Sequence, residues 1–426
     1  MKNKFKVKKP VKNKVVKSLL VEEIPTPSAR KISPEIENAA SVAKYYGFNR
    51  LPWVEVDKQD ILLAKKSHES LLKSVHPFKE DGDHFGGFLE EKIAILRNFT
   101  EKKFISLSSP VMGFYEAPLK GNPHMKKNNN EETFNLEIIG SGKSITEATL
   151  LETSFIILRE RYPDHEFTLE INSIGDKESV NRFSRELSAF VKREYKNFSK
   201  PCRALVNKDI FEIFNCDHKN CIDVLENAPR SMSFLSESSS VHFTEVLEYL
   251  ESLSIPYNIN YCLLGSRSYC TETIFEIKGT KGSETKIFGI GERYSALAKK
   301  IWGKKDIPAI GIALLMHPHF VKNNNATKEK VKVGKYFFIQ FGFDAKLKSL
   351  SLIEMLRQAN VSVEQSLSKD KLSVQLAYAE KINIPYVLIM GQKEAMEGSI
   401  VVRNMETRSQ ETLPMKDLVH YMKKLK

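Results

Sequence analysis

Residues 268–297 read SYCTETIFEIKGTKGSETKIFGIGERYSAL. Apolar and polar side chains alternate over Thr273–Lys278 and again over Thr285–Gly289, with a short glycine-containing turn between them. Two strands joined this closely must run antiparallel, because a parallel pair needs a crossover of about a dozen residues or more. A further strand over Tyr257–Leu264 precedes them, and the period turns helical over Tyr294–Trp302. The stretch predicts an antiparallel meander closed by a helix.

Toward the N-terminus, Thr133–Gly140 and Glu166–Ile171 read as strands. Between them, Ser144–Arg161 reads as an amphipathic helix with Ile145, Ala148, Leu151, Phe155 and Leu158 on one face. From Lys177 to Leu253 the helical period dominates around a polar segment at Pro201–Cys221, the pattern of a helical insertion. Near the start, Ser33 and Pro34 open a helix that stops at Gly47, and a strand over Leu51–Val56 follows.

Toward the C-terminus, the polar, lysine-rich run 321–334 has the composition of a linker. Beyond it, strands at Tyr336–Phe341, Val361–Gln365 and Tyr386–Gly391 alternate with helices at Asp344–Ala359 and Lys371–Ile382, which predicts a small, mainly parallel α/β sheet. Strands at Ile400–Asn404 and Glu411–Pro414 and a last helix from Met415 extend it. The expected fold class is α+β: a tail at 1–31, an antiparallel-sheet domain at 32–320 with its insertion at about 177–253, the linker, and an α/β domain at 335–426.

Lys and Arg (65) outnumber Asp and Glu (53), for a net charge of +12 over 426 residues, which favours an acidic partner such as nucleic acid. Eight of the first 17 residues are lysines and none is acidic, so that segment is expected to be disordered, either an arm for a nucleic-acid backbone or a solvated tail. No apolar run of membrane-spanning length and no signal-peptide core is present, and the expectation is a cytoplasmic protein with no membrane partner. An odd count of five cysteines suits reduced thiols. Cys202, Cys216, Cys221 and His218 are chemically able to bind zinc, but their spacing is poor and no metal is expected. Gly140–Ser144 (GSGKS) imitates a phosphate loop, yet Glu137 stands where the first glycine is required. His317 and His319, on either side of Pro318, read as structural or exposed.

TLEINSIGD (168–176), NAPRSMSFL (227–235), SYCTETIFEI (268–277), GERYSAL (291–297), IPAIGIAL (307–314), LAYAEKINIPYVLIMG (376–391) and GSIVVRNMETRSQETLP (398–414) occur in that order. Together they resemble histidyl-tRNA synthetase, a class II aminoacyl-tRNA synthetase, over about residues 32–426. The resemblance implies a class II antiparallel catalytic sheet, a C-terminal anticodon-binding domain, a homodimer and, if the chain is active, ATP and magnesium.

It also locates the chemistry. The family's Phe-Arg-x-Glu motif falls on Gly113–Glu116, so Phe114 stands at the α-phosphate arginine while Glu116 keeps the ATP-binding glutamate. Pro318 stands at the second ATP arginine, and Gly265 at the catalytic arginine of the Arg-Gly-Leu-Asp-Tyr-Tyr motif, with Cys270 at its second tyrosine. Two residues from Gly265 and on the same strand face by alternation, Arg267 is a candidate substitute for that catalytic arginine, and Arg293, Lys120 and Lys126 are further candidate cations. Glu90, Glu137 and Tyr294 match positions that hold the amino acid; Thr133 replaces a glutamine there and Lys92 a threonine. Lys369, Lys371, Lys381, Arg403 and Arg408 fall on loops and strand ends of the C-terminal domain, where they would contact tRNA or another RNA.

Activation of an amino acid relies on positioned cations, and losing one such donor costs about 10² to 10³ in rate. The expectation is a synthetase-like protein that is catalytically impaired or inactive and that binds RNA or acts as a regulatory paralogue. The alternatives are a divergent active histidine–tRNA ligase, and a histidine-sensing regulatory subunit of ATP phosphoribosyltransferase, against which the anticodon-like domain counts.

Overall fold

The computed structural model describes residues 34–51, 56–71, 89–101, 110–118, 132–206, 210–215, 218–265, 269–303, 305–316, 336–367 and 369–425. The expected tail, the linker at 321–334 and most of the predicted Leu51–Val56 strand lie outside these residues, as do Lys120, Lys126, Cys216, Arg267, His317, Pro318 and His319.

Helix α1 (Pro34–Tyr45) runs into strand β1 (Asn49–Arg50) through Gly47, whose φ of +90° belongs to the left-handed region that glycine enters freely. Helices α2 (Lys58–Leu71) and α3 (Leu89–Thr100) and strand β2 (Val111–Pro118) follow. Next come β3 (Glu132–Ile139), α4 (Ile145–Arg161), β4 (Glu166–Gly175) and the insertion, which comprises α5 (Lys177–Glu194), α6 (Lys200–Val206) and α7 (Lys219–Leu225) and leads into α8 (Glu237–Ser252). Strands β5 (Tyr257–Ile259), β6 (Glu272–Lys281) and β7 (Glu284–Arg293), helix α9 (Leu297–Trp302) and strand β8 (Ala309–Met316) complete the first domain. Its described strands order as β1-β2-β3-β8-β7-β6-β4-β5, antiparallel except for the outer pairs β1–β2 and β4–β5. The meander is present as β6, β7 and β8, but the strand predicted over Tyr257–Leu264 is corrected: it is short, and it pairs in parallel with β4 at the sheet edge instead of with β6.

One sheet face packs on α1, α4 and α8 through Phe114, Leu136, Ile138, Ile310 and Ile312. The other packs on α3 and α9 through Val111, Tyr115, Ile139 and Ala309. Helix α4 differs from its amphipathic prediction: every residue from Ile145 to Leu158 is buried, because α1, α8 and the sheet enclose it. Its polar residues therefore need partners inside the protein. The polar segment predicted to interrupt the insertion instead forms α6, a 3₁₀ turn at Ile210–Asn215 and α7, and buries Cys202, Phe211, Ile213 and Cys221 against α5. Asp176 caps α5 by accepting from the Ser179 amide (2.9 Å), and Ser236 caps α8 and donates to Asp176 (2.9 Å), so the two helix starts hold each other.

The second domain comprises β9 (Tyr336–Gln340), α10 (Phe343–Gln358), β10 (Val363–Gln365), α11 (Leu372–Lys381), β11 (Tyr386–Met390), α12 (Gln392–Glu397), β12 (Ser399–Asn404), β13 (Gln410–Pro414) and α13 (Leu418–Lys424). Strands β10, β9 and β11 are parallel, whereas β12 and β13 continue antiparallel, so the sheet is more evenly mixed than predicted. The domain docks on the first through polar and apolar contacts. Tyr45 Oη donates to the Val361 carbonyl (2.7 Å), Tyr46 Oη to Glu354 (2.6 Å) and Arg357 to Glu160 (2.6 Å). Tyr249 packs edge-on against Phe343. No described helix is long and apolar enough to cross a membrane.

Candidate functional site

Strand alternation decides which residues share the face toward α3 and α9. On β3 these are Thr133, Asn135 and Glu137; opposite them in register stand Ala117, Tyr115 and Gly113 on β2 and Leu315, Ala313 and Gly311 on β8. Glu137 is buried, and Tyr294 donates its phenol to Glu137 Oε2 at 2.7 Å. Gly311 is required beneath it: a Cβ there would lie 2.1 Å from the Glu137 carboxylate. Burial pushes the Glu137 pKa up to about 8, more than the Tyr294 hydrogen bond and the Lys92 charge pull it down. The same burial, with Glu137 nearby, raises the Tyr294 and Tyr115 phenols far above their usual range. Asn135 donates to Thr133 Oγ1 at 3.0 Å and Thr133 to the Ala117 carbonyl at 3.3 Å, so the polar groups of this strand are tied to one another.

Lys92 reaches into the same space from α3, with 7% of its surface exposed. Its ammonium pairs with Glu292 of β7 and lies 5.3 Å from the Tyr294 ring centroid and 5.8 Å from that of Tyr269. Burial alone would strip its proton, but Glu292, Cys270 and Glu137 outweigh burial and hold its pKa above the ordinary value. Cys270 donates its thiol to the other Glu292 oxygen at 2.7 Å. The result is an ammonium enclosed by two aromatic rings and two carboxyl groups, an arrangement suited to recognising a primary amine.

Of the residues predicted from sequence, the structure brings Glu137, Tyr294, Cys270 and Lys92 together, with Thr133 on the same face. Glu90 does not join them: it is half-buried in the first turn of α3, and its neighbour Glu91 accepts from Tyr115 Oη at 3.4 Å. Phe114 and Glu116 are likewise corrected. Both lie on the opposite face of β2, where Phe114 stacks on Phe134 with ring centroids 5.3 Å apart and Glu116 pairs with Arg50. The register with β3 imposes this, because it aims the odd-numbered residues of β2 at Glu137. Arg293 is no replacement cation. It grips Glu147 with two nitrogens (2.7 and 2.6 Å) on the α4 side and also donates to Thr146 and the Ser141 carbonyl.

Gly265 adjoins Cys270 with a φ of +53°, and a Cβ there would come within 2.8 Å of Ile274. An arginine at 265 would be strained in this backbone. Glu292, Glu91, Tyr115 and Tyr269 were missed from sequence. A charged residue inside the apolar alternation of β7 was the one available signal for Glu292.

In the second domain, Lys371 precedes α11 and Lys381 ends it, both exposed. Lys369 lies 3.5 Å from the Tyr378 ring centroid, and burial together with Lys381 lowers its pKa. Arg403 sits within β12, half-buried and with its Nε unpartnered, and Arg408 is exposed in the β12–β13 turn. In the insertion, Cys202 Sγ is 3.4 Å from His218 Nδ1, while Cys221 accepts from the Ser199 amide. Among the described residues, no three His, Cys, Asp or Glu side chains converge as a metal site would need.

A family model for the anticodon binding domain matches residues 338–425. The chain is 28% identical to the histidine–tRNA ligase of Halothermothrix orenii over 362 residues, covering 83% of this chain and 85% of that one. It is 28% identical to the histidine–tRNA ligase of Fervidobacterium nodosum over 383 residues, covering 88% and 90%. Apo histidyl-tRNA synthetase from S. aureus aligns over 94% of this chain and 100% of that one, at 20% identity and a TM-score of 0.49. An antiparallel sheet with a helical insertion, joined to an anticodon-binding domain, defines a class II aminoacyl-tRNA synthetase-like protein. Within that class, the chain is similar over most of its length to histidine–tRNA ligases, and its C-terminal domain matches the anticodon binding domain.

Proposed function

We propose that this protein is a histidyl-tRNA synthetase-like paralogue that binds tRNA or another RNA through its C-terminal domain and has lost amino-acid activation. The observation that carries this is the Lys92–Glu292 ion pair inside the site, together with the diversion of Arg293 to Glu147. Among the described residues, the site face presents carboxyl groups, phenols and one internally neutralised ammonium. That donor set does not fit the phosphates of ATP, whose transfer needs unpaired cations. RNA binding rests on the anticodon-binding match and on Lys369, which lies over the Tyr378 ring with Lys381 close enough to depress its pKa, so that phosphate contacts stand beside a ring able to stack on a base. Homodimerisation, as the family implies, is part of the same proposal.

A second reading, a divergent active ligase, is favoured by the intact Glu137–Tyr294 pair and by the activity named for the relatives. Histidine-dependent ATP–pyrophosphate exchange separates the two. Background-level exchange with retained, salt-dependent tRNA binding is the expected result; exchange above background would overturn the proposal.

A further inference from the structure

The cage around Lys92 resembles a ligand site with its ligand in place. The ammonium lies within about 6 Å of two aromatic centroids, the range over which a cation is attracted to a ring face. It meets Glu292 directly, and Glu292 is fixed from its other side by the Cys270 thiol. Glu137 completes the enclosure, held by Tyr294. Lys92 arrives from α3, while the cage walls come from β3, β7 and the segment before β6. The lysine is thus an insertion into the cage from a separate element.

We propose that Lys92 is the resident ligand of this pocket: its side chain delivers a primary ammonium to Glu292, Glu137, Tyr269 and Tyr294 and thereby excludes the amino group of a free amino acid. This rests on the reading, given above, of the site as a synthetase amino-acid pocket. Charge supports exclusion as well as space. With Glu292 matched by Lys92 and Glu137 already engaged by Tyr294, a second ammonium would find no free counter-charge in a buried site. Conversely, shortening Lys92 leaves Glu292 unmatched beside a void of the shape of an alkylammonium ion, and a soluble amine can refill it.

The test uses the full chain carrying Lys92→Ala. Its thermal midpoint should fall by roughly 5–10 °C through loss of a buried ion-pair partner. n-Butylammonium chloride should restore part of that loss saturably, whereas tetramethylammonium chloride at equal ionic strength, which has no N–H to donate, should not, and the parent should respond to neither. Equal responses to both salts, or none, would overturn the proposal.

Reductive methylation of the parent keeps the question answerable if the variant fails to fold. Peptide mass mapping should find Lys92 unmodified while Lys299, with 63% of its side chain exposed, is methylated, and matching rates at the two would overturn the proposal. Absent amine rescue with silent pyrophosphate exchange would refute the resident lysine alone. Active exchange with rescue intact would refute the loss of activation alone.

Discussion

Glu292 and Arg293 are neighbours on β7, and each serves a buried ion pair on a different face of the same sheet. Toward α4, Arg293 makes four hydrogen bonds, and the Glu147 carboxylate also receives His242 (2.9 Å) and Thr273 (3.0 Å). Burial alone would push Glu147 toward its neutral form, but Arg293 and His242 outweigh it and hold the carboxyl far below its ordinary range. His242 in turn stays more basic than usual despite its own burial. Toward α3, the Lys92–Glu292 pair has aromatic rings and a thiol around it in place of a full set of donors and acceptors, and the nearby Glu137 carries a raised pKa with only a phenol as donor. A saturated polar cluster clamps helix to sheet and leaves nothing for a ligand. A cluster closed mainly by aromatic faces has the composition of a binding site, which is why one pair reads as scaffold and the other as pocket.

The comparison breaks hardest at Arg293. Arg293→Ala leaves Glu147 buried without its guanidinium and should cost about 3–5 kcal/mol, measured by urea unfolding. A loss below about 1 kcal/mol would show that the clamp is not structural. Next in size is Gly311→Ala, which sets a methyl against the Glu137 carboxylate and should cost about 1–3 kcal/mol while leaving RNA binding unchanged.

A third prediction uses the opposite pKa directions of the two glutamates. The folded-state pKa of Glu137, about 8, lies above its ordinary 4.5, so the folded chain keeps a proton that the unfolded chain releases. Its stabilisation is complete below about pH 4.5 and is lost as the pH rises toward 8. Glu137→Gln should therefore flatten the stability curve across that window, measured by thermal melts at several pH values; a curve parallel to the parent's would contradict the assignment. Some slope of the same sign should persist, because burial raises Glu152 to about 8 as well. Glu147, shifted downward, contributes above its ordinary pKa and loses that contribution only on acidification.

The smallest effect is expected in the second domain. Lys371→Ala and Lys381→Ala should change stability by no more than about 0.5 kcal/mol. Each should also lower the salt dependence of tRNA binding by roughly one unit of slope. An unchanged slope would place the RNA elsewhere on the chain.

Much of this was legible in the residues themselves. Alternation at Thr273–Lys278 and Thr285–Gly289 fixed an antiparallel sheet, and alternating strand and helix periods marked the C-terminal domain. The resemblance to the family, rather than any period, pointed to Glu137, Tyr294 and Cys270 as expected site positions and to the missing arginines at 114 and 265. A period states which residues share a face; it does not state which layer that face meets. Register alone sent Phe114 and Glu116 to the α4 side and Tyr115 to the site, and enclosure by α1 and α8 buried a helix that reads as amphipathic. The partnership of Lys92 with Glu292 spans 200 residues of sequence, beyond the reach of any local pattern, and became visible only when α3 and β7 were packed against each other.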